Sequence, residues 1–162
     1  MTQWSKRKDD QHMKLATALS ERADIQRKIS GLSTRLNMNA KVQEGDEPDE
    51  NPYGLIDELN SAFLRLEELI AHINITNNET KYNGKSITEL IAKRDCLSNR
   101  INILRSFLDE ASSRVTRYSK TEIRINSTVD VAKLRKETDD LAKQLRETDE
   151  LIQSLNWTTD LI

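Results

Sequence analysis

The stretch Leu55-Ile56-Asp57-Glu58-Leu59-Asn60-Ser61-Ala62-Phe63-Leu64-Arg65-Leu66-Glu67-Glu68-Leu69-Ile70-Ala71-His72-Ile73 decides the fold class. Its residues Leu55, Leu59, Ala62, Leu66, Leu69 and Ile73 recur in alternating steps of four and three. That spacing keeps one side of an α-helix apolar and suits packing against a neighbour near +20°, whereas a strand would show a period of two. Ile56, Phe63 and Ile70 widen the apolar stripe. This is the widest stripe in the chain, and it marks this helix as the candidate contact with a second copy.

Three further runs repeat the pattern on either side. One is Leu15, Ala18, Arg22, Ile25, Ile29, Leu32 and Leu36. The next is Ile87, Leu90, Arg94, Leu97, Ile101, Leu104, Leu108 and Ala111, and the last is Leu134, Thr138, Leu141, Leu145, Thr148, Ile152 and Leu155. Each run lasts about 19 to 25 residues, or roughly 28–38 Å at 1.5 Å per residue. The spacing predicts an all-α fold, an antiparallel four-helix bundle of long helices. One domain is expected over residues 13–162. Residues 1–12 form an N-terminal extension, either disordered or a continuation of the first helix.

Local punctuation agrees with these bounds. Asn51-Pro52 precedes the second run, and a residue before proline avoids the helical region. Ser86-Ile87-Thr88-Glu89 fits a capping box for the third helix, and Thr128 or Asp130 can cap the fourth. Asn83-Gly84 is a tight-turn signal. Residues 121–125, Thr-Glu-Ile-Arg-Ile, alternate polar and apolar over enough length for one short extended segment in the third connection.

Composition narrows the function classes. Four Gly and two Pro in 162 residues leave little material for the turns of an all-β fold. A single cysteine excludes an intramolecular disulfide. No apolar run approaches the ~20 residues that span a bilayer. The opening MTQWSKRKDDQHMK has no apolar stretch behind its charges, so the expectation is a cytoplasmic protein without a secretory signal. No phosphate-cradling glycine loop is present, and His72 and Glu68 lack the repeated Glu-x-x-His of a di-iron site. Nothing in the sequence calls for a metal, a cofactor or a catalytic group. Cys96, beside Leu97, is expected to pack as a small buried thiol.

Charge is unevenly distributed. Residues 44–75 carry nine acidic side chains and one basic one, whereas residues 1–43 carry four and nine. A net charge of −2 with few aromatics argues against a nucleic-acid binder. The loop Glu44-Gly45-Asp46-Glu47-Pro48-Asp49-Glu50 reads as a solvated connection. Its counterpart, Arg114-Val115-Thr116-Arg117-Tyr118-Ser119-Lys120-Thr121-Glu122-Ile123-Arg124, sets four cations among hydroxyls and a tyrosine. Those groups suit a phosphate or carboxylate ligand with a stacking ring, although a solvated loop has the same composition. Arg22 and Arg94 fall on helix seams with Asp24 and Asp95 nearby. Each either rotates onto the flank or points inward to an ion pair or ligand. Trp157 is expected to pack at the end of the last helix.

These observations assemble into a working site. Arg94, Arg114, Arg117, Lys120 and Arg124 would hold an anion, Tyr118 or Trp157 would stack, and Ser119 and Asn156 would donate hydrogen bonds. The expected function is a non-enzymatic, homo-oligomeric bundle that sequesters a small anionic ligand, with a phosphate-bearing nucleotide as the natural candidate. The rival is a scaffold that docks a protein partner through its helix seams and takes no small ligand.

Short pieces in a fixed order also carry a resemblance. They are Met13-Lys14-Leu15-Ala16 with Glu21-Arg22-Ala23-Asp24, then Ala40-Lys41-Val42-Gln43-Glu44-Gly45, Ile73-Asn74 with Thr76-Asn77, and Arg94-Asp95. Arg117-Tyr118-Ser119 with Glu122-Ile123, Thr128-Val129-Asp130-Val131, and Asn156-Trp157-Thr158-Thr159 complete them. On these pieces the chain resembles the septicolysin-like family of small bacterial helical proteins, from about Met13 onward. The resemblance implies an all-helical fold and a biochemical role that is uncharacterised.

Overall fold

The computed structural model describes residues 13–112 and 126–162. Four helices carry it: α1 (Leu15–Met38), α2 (Pro52–Glu79), α3 (Ile87–Ser112) and α4 (Val131–Thr158). A two-stranded antiparallel hairpin, β1 (Lys81–Tyr82) and β2 (Lys85–Ser86), links α2 to α3. The all-α helical-bundle class expected from the sequence is the class observed. The chain divides into two compact units, Met1–Ser86 with Ser154–Ile162, and Ile87–Gln153.

The first unit is built on the antiparallel pair α1 and α2. Leu15, Ala18 and Leu32 of α1 are buried, as are Leu55, Ala62, Leu69, Ile73 and Thr76 of α2. All but Thr76 are expected seam positions; Thr76 continues the row one step past Ile73, and the remaining seam residues of both helices are half-buried. Each fully buried Leu or Ile contributes about 1.5–3 kcal/mol relative to exposure. Ion pairs line the flank in heptad steps. Glu21 accepts two bonds from Arg65, at 2.8 and 3.1 Å. Lys28 lies 3.7 Å from Glu58, and Arg35 forks onto Glu50 through its Nε at 2.9 Å and its Nη2. The partners step back from Arg65 and Glu58 of α2 to Glu50, two residues before it, as they ascend along α1, which matches the antiparallel direction.

Caps and turns explain where the elements stop. Asn39 ends α1, with its backbone N–H bonded to the Arg35 carbonyl, and its side-chain amide donates to that carbonyl at 3.0 Å. The same side chain accepts the Glu50 amide at 2.9 Å, so the acidic loop is pinned at both ends. Within the loop, Asp46 donates to the Gln43 carbonyl across a turn in which Gly45 has φ 93°. A positive φ at that position is strained for any residue with a Cβ. Asn51 caps α2 by accepting the Tyr53 amide at 3.0 Å, with Pro52 as the first helical residue. Of the two candidate caps for α4, Asp130 serves, accepting the Lys133 amide at 3.0 Å.

The hairpin was legible only as a turn. Asn83 (φ 49°) and Gly84 (φ 81°) form the two-residue loop, both with positive φ as a type I′ turn requires. Its strands are two residues each, too short for an alternating pattern to reveal. The extended segment expected at residues 121–125 lies outside the described residues, as does the 1–12 extension.

The residues after α4 return to the first unit. Leu15 donates to the Thr159 carbonyl at 3.0 Å, and Leu161 donates to the Met13 carbonyl at 2.8 Å. Lys14 Nζ pairs with Asp160 at 2.6 Å and donates to the Thr158 carbonyl at 3.1 Å. The fully buried Thr76 hydroxyl accepts the Ile162 amide at 3.0 Å and donates to the His72 carbonyl at 2.8 Å. His72 Nδ1 also meets the Ile162 carbonyl oxygen. His72 therefore holds this C-terminal strap, while Glu68 pairs with Arg65 at 3.1 Å.

The second unit contains α3 and most of α4. Ile87, Leu90, Ile101 and Leu108 are buried on α3, and Thr138, Thr148 and Ile152 on α4. Arg94 reaches Asp149 at 3.9 Å, while Leu108 and Thr138 line one cleft, so these two helices also run antiparallel. Two expectations are corrected. Cys96 is exposed, because its neighbour Leu97 takes the inward position. Trp157 is 69 % exposed and does not pack, since the strap turns away immediately after α4.

Candidate ligand-binding site

Three of the nine residues assembled from sequence fall within the described residues. Arg94 belongs to the second unit, where it donates to Asp95 Oδ1 at 2.8 and 3.0 Å and approaches Asp149. It faces the seam, half-buried, and is neutralised by two carboxylates. Asn156, half-buried, and the exposed Trp157 sit at the C-terminal end of α4 in the first unit. Arg114, Arg117, Tyr118, Ser119, Lys120 and Arg124 lie outside the described residues.

Arg22, the other seam arginine, keeps its inward position on α1. Its Nε is buried without a hydrogen-bond partner among the described residues, and Asp24 pairs with Arg27 instead. Hydrogen bonds from Arg35 hold the Glu50 carboxyl below its ordinary value, and the same contact holds the Arg35 guanidinium above its own.

The charged cavity that sequence reasoning missed lies between α3 and α4. It measures about 240 Å³ and is lined by Arg105, Leu108, Asp109, Arg135, Thr138 and Asp139. Leu108 and Thr138, 4 % and 2 % exposed, form its floor. Arg105 and Asp109 are one turn apart on α3, and Arg135 and Asp139 repeat that spacing on α4. Among the described residues none of these four charges has an ion pair within 4.0 Å, in contrast to Arg94. The sequence signal was present as Arg-x-x-Leu-Asp at 105–109 and Arg-x-x-Thr-Asp at 135–139, each centred on a seam residue. It is visible only when the two helices are set antiparallel in the correct register.

Comparison with known proteins adds membership without an activity. The model of a family of unknown function, DUF6847, matches residues 22–161. The crystal structure of a functionally unknown conserved protein from Corynebacterium diphtheriae is similar at a TM-score of 0.83 and 39 % identity. The match covers 93 % of this chain and 99 % of that one. No curated protein matches. Neither match points to a septicolysin-like family, so that resemblance is corrected. It rested on pieces of two to six residues in order, whereas the family model matches one continuous span. The chain belongs to the family of unknown function DUF6847.

Proposed function

We propose that the protein is a non-enzymatic helical-bundle protein that binds a small ligand bearing an anionic group. The observation that carries this reading is the α3–α4 cleft, where two guanidinium groups, Arg105 and Arg135, line one cavity without an ion pair among the described residues. Guanidinium is the side chain best suited to bidentate recognition of carboxylate or phosphate. At about 240 Å³ the cleft falls below the ~300–1,000 Å³ of pockets for drug-sized ligands, so a nucleotide would enter by its phosphate alone.

The test is a calorimetric titration of full-length protein with inorganic phosphate, mononucleotides and small carboxylates. Arg105→Ala combined with Arg135→Ala should abolish binding without lowering the melting temperature, because both side chains are exposed and have no ion pair among the described residues. Undiminished affinity in that double variant overturns the assignment.

A second reading has its own observation. Ile56, Phe63 and Ile70 form a heptad-spaced row on α2 and remain 40 %, 51 % and 40 % exposed. An apolar row of this kind is the signature of helix docking, either to a second copy or to a protein partner. Self-association through α2 is compatible with ligand binding, and the scaffold reading replaces it only if no small ligand binds.

A further inference from the structure

We propose that the α3–α4 cleft takes a small zwitterion of the free α-amino acid class, held by its carboxylate and its ammonium group together. This deepens the anionic-ligand reading above and rests on it. The cleft is lined by equal numbers of cations and anions, Arg105 and Arg135 against Asp109 and Asp139, and among the described residues none of the four has an ion pair within 4.0 Å. Arg94 pairs with Asp149, and the helices are antiparallel. Eleven residues along α3 from Arg94 and ten back along α4 from Asp149 bring Arg105 to within one residue's rise, about 1.5 Å, of Asp139. One turn further, Asp109 comes level with Arg135. Each level of the cleft thus presents a guanidinium on one wall and a carboxylate on the other.

That arrangement discriminates among ligand charges. A bare dianion meets the two aspartates as well as the two arginines, and a dication meets the reverse, so like-charge repulsion offsets the attraction. A ligand with both signs a few ångströms apart satisfies both walls at one level. Its carboxylate takes the fork of a guanidinium, and its ammonium donates to the aspartate opposite. The floor supplies a further acceptor. Thr138 Oγ1 spends its single proton on the Leu134 carbonyl at 2.8 Å, which leaves its lone pairs to accept from an ammonium group. Leu108 beside it offers apolar contact to a small side chain. A volume of about 240 Å³ limits the ligand to this size class.

Three probes of nearly equal size test the proposal on the full-length protein by NMR titration: alanine, N-acetylalanine and alaninamide. Alanine should bind at millimolar concentration, and masking either its ammonium or its carboxylate should weaken binding by about tenfold or more. Asp109→Asn with Asp139→Asn should reverse the order, so that N-acetylalanine and inorganic phosphate bind at least as well as alanine. If N-acetylalanine and phosphate already match alanine on the wild type, the zwitterion class is wrong while the anion reading stands. If alanine binds equally well to the Arg105→Ala, Arg135→Ala variant, or if no probe binds the wild type, both readings fall.

Discussion

Glu50 shows how one side chain carries a loop. Its carboxylate receives the Arg35 guanidinium, and its amide is held by Asn39, so the acidic connection closes against the end of α1 rather than hanging free. The carboxyl is held below its ordinary value near 4.5 by the Arg35 hydrogen bonds. A depressed carboxyl stabilises the fold above its unfolded value, and that contribution is lost as pH falls through the lower, folded value. Glu50→Gln should therefore lower the melting temperature at neutral pH, and the gap from wild type should close progressively below about pH 4.5. A gap that persists unchanged into acid would show that the pair contributes nothing through its charge. The sequence displayed Glu50 only as one of several acids in a run that reads as solvated. Its distinction from Glu44, Asp46, Glu47 and Asp49 is a tertiary one, created where α1 passes the start of α2.

At the scale of elements, the seams were legible and the ends of the chain were not. Every seam position of α1 to α4 read from the three–four alternation is buried or half-buried. Side-chain direction on a helix follows from spacing alone, which is why this part of the fold could be read. The strap after α4 had no comparable signal, because Thr159, Asp160, Leu161 and Ile162 are set by backbone pairing to Met13 and Leu15 and by one hydroxyl. That hydroxyl, on Thr76, occupies a seam position where a β-branched apolar residue would pack equally well. Thr76→Val keeps the shape and leaves the Ile162 amide without its acceptor, at a cost of about 1–3 kcal/mol. Thr76→Ser keeps the oxygen and loses one methyl, about 0.8 kcal/mol. Chemical denaturation should rank Val below Ser, and hydrogen exchange at the Ile162 amide should accelerate in the Val variant alone. Equal losses in the two would mean that the hydroxyl packs but does not hold the strap. The candidate cleft was missed for a related reason. Arg105, Asp109, Arg135 and Asp139 each look like ordinary flank charges, and only the register of α3 against α4 makes them one group.

For the whole molecule, the open question of assembly comes down to one face of α2. Ile56, Phe63 and Ile70 lie one position beyond the buried row Leu55, Ala62 and Leu69, so the helix has a second apolar edge adjoining the first. The spacing is symmetric about Phe63. A two-fold contact between antiparallel copies of α2 would set Phe63 against Phe63 of the second copy, with Ile56 against Ile70 on either side. Charge opposes this arrangement, since residues 44–75 carry nine acids and one base. Two acidic helices approach more readily when salt screens them, within a Debye length of about 10 Å at 0.1 M. Light scattering coupled to size exclusion should therefore show self-association that strengthens with ionic strength, and Phe63→Glu should return the protein to monomer at every salt concentration. Because Phe63 is half exposed, that substitution should leave the helical content and melting temperature of the monomer close to wild type. If association instead weakens as salt rises, α2 meets an oppositely charged surface, and the symmetric contact is excluded. If Phe63→Glu leaves the mass unchanged at every salt concentration, the exposed row is not the contact.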